Sequence, residues 1–196
     1  CGGKGGSKDE GKSEAEQSPD EVPVTAGADP TIAKENSEGE SGTAGIDGVS
    51  TLCTDDKSIS ITINRPDGFE DSEFSSEHQV AFQKVAEGGL GSTQVSLRLM
   101  AEDENSVMTT AQQEVEYLMS ANADGTGGVE EVQSQPAGSR QWSYFTYALE
   151  DTEGFRSWTS LSNGCVVSCT VENLGAGLEP LSVDAMLQIL DGSIQE

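Results

Sequence analysis

From residue 58 to 64 the chain alternates isoleucine with small polar side chains: Ile59, Ile61 and Ile63 fall on one side, Ser60, Thr62 and Asn64 on the other. Successive side chains of a strand point to opposite faces, so this period of two predicts a half-buried β-strand. Arg65-Pro66-Asp67-Gly68 ends it with turn chemistry, proline presetting φ and glycine tolerating a positive one. Residues 79–85 predict a second strand. After Gly88-Gly89 a third runs over 93–101, with Val95, Leu97, Leu99 and Ala101 inward. The period then changes. Thr110-Ala111-Gln112-Gln113 fits a capping box, and Val107, Ala111, Val115, Leu118 and Met119 fall near one helical stripe, predicting a helix over 107–121.

Beyond that helix, 129–133 predicts a short strand and 140–149 a longer aromatic one. Asp151-Thr152-Glu153-Gly154 reads as a three-residue hairpin loop with Gly154 in the left-handed position. That register places Trp142, Tyr144 and Ala148 on one face with Arg156 and Trp158, and Phe145, Tyr147 and Leu149 on the other. A last strand covers 165–172. Pro180 suits the first turn of a helix over 181–190, where Val183, Met186, Leu187 and Leu190 follow i, i+3, i+4, i+7 spacing and Gly192 is a fitting stop. The order β-β-β-α-β-β-β-β-α, joined by hairpin-length turns, predicts an α+β fold: a mostly antiparallel sheet flanked by helices.

The front of the chain has none of this patterning. Residues 1–45 contain no Phe, Trp or Tyr and are dominated by Gly, Ser, Glu, Asp, Lys and Pro. Such a segment buries too little apolar surface to offset its ordering entropy, so 1–45 is expected to be a disordered acidic tether and 46–196 the folded domain. Charge narrows the partners. The formal net charge is −25, and Lys57, Arg65, Lys84, Arg98, Arg140 and Arg156 are scattered without a run, which excludes nucleic acid as an expected partner.

The opening Cys-Gly-Gly-Lys-Gly-Gly-Ser-Lys, followed by a polar linker, resembles a mature bacterial lipoprotein. The resemblance implies acyl chains on Cys1, a membrane partner engaged through that lipid anchor, and a place on the extracytoplasmic face of the bacterial cell membrane. A flexible tether of that length would hold the domain about 35–40 Å from the bilayer on average. In an oxidising compartment Cys53, Cys165 and Cys169 invite a disulfide. Cys165 and Cys169 sit four residues apart on one strand face, ~13 Å, beyond bonding reach. Cys53 would then pair with Cys165 or Cys169, unless all three are buried thiols that behave as small hydrophobes. The same ~13 Å spread rules against a zinc site built from these cysteines and His78.

A second resemblance covers 58–194. The order of elements, the Ile-rich first strand ending in Pro-Asp-Gly-Phe, the late aromatic hairpin and the closing helix over 181–190 resemble the PsbP-like α/β/α sandwich of small bacterial lipoproteins. It implies a non-enzymatic fold used for binding or assembly. It supplies no catalytic residues to carry over.

Three patterns remain that bear on chemistry. The stretch 120–131 matches the calcium-loop template at Asn122, Asp124, Gly125 and Glu131, but has Ser120 where the first aspartate belongs and a strand where the second helix belongs. His78 is the lone histidine, in a polar Ser-Ser-Glu-His-Gln run without a nucleophile elbow, and reads as a turn residue. Trp142, Tyr144 and Trp158 form a binding face for a protein, peptide or glycan if the helices leave them open, and core if they do not. The sequence therefore predicts a lipid-anchored extracytoplasmic protein with a non-enzymatic binding or assembly domain and no cofactor. The alternatives are a calcium-binding surface protein, or a hydrolase whose unfamiliar site gathers His78 with an acid and a serine.

Overall fold

The computed structural model describes residues 48–122, 127–149 and 152–196. The expected tether, 1–45, and Cys1 within it lie outside the described residues. The fold is α+β, and every strand pairing is antiparallel. The predicted Ile strand is β2 (Ser60–Asn64), with Ile61 and Ile63 buried and Ile59 packed against the core. A strand the alternation did not announce, β1 (Val49–Cys53), pairs along it, and the C-terminal β11 (Ile194–Gln195) pairs with its other edge. These three make a small sheet.

The large sheet runs β3 (Glu70–Asp71), β4 (Val80–Val85), β5 (Gly91–Met100), β10 (Val166–Gly175), β9 (Thr152–Ser160) and β8 (Arg140–Leu149). Its centre is the ten-residue pairing of β5 with β10, from Gly91 opposite Gly175 to Met100 opposite Val166. Along the outer edge of β8 lie two short strands, β6 (Gly127–Val129) and β7 (Gln133–Ala137), where the sequence predicted one over 129–133. Pro136 has no N–H to donate, which an edge strand tolerates.

Two cores form, one on each face of the large sheet. On one face the small sheet and helix α2 (Val183–Ser193) contribute Leu52, Ile61, Ile63, Leu187 and Leu190, packed with Phe82, Leu97, Trp142, Phe155 and Val167. On the other face helix α1 (Glu104–Ala121) sets Val107, Ala111 and Val115 against Phe145, Tyr147, Trp158 and Val166. The expected helix stripe is therefore present, but the helix begins a turn early. Asp103 is its cap, its carboxylate accepting from Ser106 N at 2.9 Å, while Thr110 sits inside the helix and donates to Ser106 O. Ala101, predicted to point inward, is exposed just past the end of β5.

The aromatic hairpin departs from the predicted register. Leu149 pairs with Thr152, Tyr147 with Gly154 and Phe145 with Arg156, so Gly154 is an interior strand residue rather than a left-handed turn residue. The parity of β9 relative to β8 is consequently reversed: Trp158 shares a face with Phe145 and Tyr147, and Trp142 and Tyr144 face the other core. Gly154 is required where it lies, because an added Cβ would stand 2.8 Å from the Tyr147 ring.

Candidate functional site

Of the two readings of Trp142, Tyr144 and Trp158, open binding face or core, burial favours the core, and the three do not share a face. Trp142 and Tyr144, 0% and 8% exposed, belong to the core under α2; Trp158, 2% exposed, belongs to the core under α1. The cysteine pairing is corrected likewise. Cys53, Cys165 and Cys169 are free thiols, Cys165 and Cys169 buried on the face they were expected to share. Burial pushes the Cys169 thiol far above its usual range, so it stays protonated and behaves as a small apolar group.

The other candidate residues are also dispersed. His78 has carboxylates for neighbours, Asp55 Oδ1 at 3.9 Å from its Nδ1 and Glu77 Oε2 at 3.9 Å from its Nε2, and Nδ1 makes no hydrogen bond. Among the described residues no serine is hydrogen-bonded to it, so those residues do not assemble around His78 the grouping a hydrolase reading asked for. Of the calcium-loop positions, Asp124 and Gly125 lie outside the described residues. Asn122 closes α1, its side-chain amide donating to Leu118 O at 2.8 Å, and Glu131 is exposed. Among the described residues no three His, Cys, Asp or Glu side chains gather as a metal-binding group.

What the fold does build is a groove beside α1. The helix covers one part of its face of the large sheet, and the face continues past it as a polar floor of Ser96 and Arg98 from β5 with Ser168 and Thr170 from β10. The register makes this floor: Thr170 stands between Ser96 and Arg156, and Ser168 between Arg98 and Trp158. Thr110, Ala111 and Glu114 of α1 form one wall, and the Asp55-Asp56 turn contributes to the lining, enclosing ≈ 780 Å³. That is the size of a site for a small molecule or a few peptide residues.

The groove's electrostatics follow from its pairings. Arg156 Nε lies 2.7 Å from Glu114 Oε1, an ion pair without the alignment of a hydrogen bond, and Arg156 Nη1 donates to Thr170 Oγ1 at 3.3 Å. Arg98 is 3.8 Å from Asp55. The hydroxyl of Ser58, then that of Thr54, hold the Asp56 carboxyl down at about 2, so it is ionised at any physiological pH. Tyr147 donates to Glu172 at 2.5 Å; burial, then this contact with a carboxylate, raises the phenol well above its ordinary value and keeps it a donor. Two arginines thus meet five carboxylates: Asp55, Asp56, Glu102, Glu114 and Glu172.

Besides Arg156 Nε, which has Glu114 as an ion-pair partner, a second donor of the lining makes no hydrogen bond. Trp158 Nε1 is buried and has no hydrogen-bond partner among the described residues. A buried N–H without an acceptor costs about 1–3 kcal/mol. The contrast within the molecule is direct, since Trp142 Nε1 donates to Asp191 Oδ1 at 3.2 Å. No local motif marks the groove, because its lining comes from segments separated by more than a hundred residues; the one legible signal is the run of polar residues at alternate positions of β10, Ser168, Thr170 and Glu172.

These features define an α+β protein with an antiparallel sheet sandwiched between a helix and a second sheet layer. No family model matches the chain, and no curated protein matches it. Among solved structures, a mutant of the protein Mog1 is similar over 69% of this chain and 89% of its own, at 15% identity and a TM-score of 0.42. A likeness of that degree carries nothing about function.

Proposed function

We propose that this chain is a lipid-anchored extracytoplasmic protein whose folded domain binds a partner through the groove beside α1 and is not an enzyme. The observation that carries the binding reading is the groove itself, a recess of ≈ 780 Å³ with the unpartnered Trp158 donor in its lining. Pockets that combine apolar walls with a few convergent polar groups are where proteins take ligands. The PsbP-like resemblance, with its binding and assembly roles, is in keeping with this.

The anchor rests on the resemblance of the segment 1–8 to lipoprotein termini. An acyl group alone gives marginal attachment and two or more give a stable one, so the anchor is testable by chemistry and by fractionation. Labelled palmitate fed to the producing cell is expected to enter the wild-type protein and to be absent from Cys1→Ala, which should leave the membrane fraction. Equal labelling and equal membrane association of the two proteins would refute the anchor.

A further inference from the structure

We infer that the groove beside α1 takes a basic peptide segment of a partner protein, a conclusion that rests on the binding reading above. Two independent features set the chemistry. The first is charge: Arg156 is matched by Glu114 and Arg98 by Asp55, which leaves Asp56, Glu102 and Glu172 as surplus negative charge along the lining. The second is the Trp158 indole, a buried donor without an acceptor among the described residues. A simple cation satisfies the first and not the second. A peptide satisfies both, because its main-chain carbonyl accepts from Trp158 Nε1 while lysine or arginine side chains meet the carboxylates.

Charge also selects against a second copy of this chain. It brings a net charge of −25 and would place like charge beside Glu102 and Glu172. A basic partner is instead drawn in by the field of the whole molecule, with an on-rate that falls as salt rises.

Titration calorimetry on the full chain with three probes tests this. The probes are the capped heptapeptide Ala-Lys-Ala-Lys-Ala-Lys-Ala, its counterpart with glutamate for lysine, and maltohexaose. The lysine peptide is expected to bind and to weaken several-fold between about 50 and 500 mM salt. Trp158→Phe should weaken it roughly fivefold through the lost hydrogen bond. Glu102→Gln, an exposed position whose change leaves the fold intact, should weaken it about two- to fourfold. If the acidic peptide or the glycan binds instead, with sensitivity to Trp158→Phe, the basic-peptide assignment is overturned while the groove reading survives. If no probe binds, or if binding ignores both substitutions, the groove reading falls as well.

Discussion

At the scale of single residues, the two tryptophans make a controlled comparison. Both are buried, but Trp142 Nε1 donates to Asp191 and Trp158 Nε1 to nothing among the described residues. Trp142→Phe deprives a buried carboxylate of a donor, whereas Trp158→Phe removes a group that was already unsatisfied. Urea unfolding should therefore find Trp142→Phe about 1–2 kcal/mol more damaging than Trp158→Phe; equal losses would contradict the hydrogen-bond assignment. Asp191, 6% exposed, also accepts from Ser139 N at 2.8 Å, Ser139 Oγ at 3.1 Å and Arg140 Nη1 at 3.0 Å. Burial alone would raise its pKa, but these donors outweigh it and hold the carboxyl below the usual aspartate range. The folded pKa lies below the unfolded one, so this stabilisation is fully present above the unfolded value of about 3.9 and is lost as pH falls through the folded value. Asp191→Asn should cost about 2–4 kcal/mol at pH 7, and the gap to wild type should narrow below about pH 4. A gap that stays constant down to pH 2 would show that charge plays no part.

At the scale of elements, the aromatic hairpin decides which residues face the groove. Gly154→Ala drives a methyl into the Tyr147 ring, which itself donates to Glu172, so the substitution should destabilise by about 1–3 kcal/mol. Thermal unfolding checks this, and an unchanged midpoint would mean that β8 and β9 pair in another register. The same residue explains how far the sequence could be read. Ile59, Ile61 and Ile63 were legible because a half-buried strand writes its burial as a period of two. Gly154 was misread because glycine serves a left-handed turn and a close aromatic approach equally well, and the local sequence does not say which. That one-residue difference reversed the parity of Trp158 and invented an aromatic face. The start of α1 was displaced for a similar reason, since Thr110 and Asp103 both offer cap chemistry and only the packing of Val107 on the sheet decides between them. β1 and β11 were missed because their pairing is set by a partner, β2, that lies elsewhere in the chain.

At the scale of the molecule, the described domain has one sheet face closed by the small sheet and α2, and the other closed only in part by α1. The groove is a consequence of that incomplete cover: Arg98 of β5, Glu114 of α1, and Arg156 with Trp158 of β9 meet there from three separate elements. None of the described helices is long and apolar enough to cross a membrane. If the groove is, as proposed, a site for an acceptor-bearing ligand, the Trp158 indole reports on it directly. In a ¹⁵N-labelled sample the two indole N–H resonances separate the two faces of the sheet. On addition of the lysine heptapeptide, the Trp158 resonance should move downfield as it gains an acceptor, while that of Trp142, already bonded to Asp191, stays in place. A Trp158 resonance that remains fixed at saturating peptide would contradict the account.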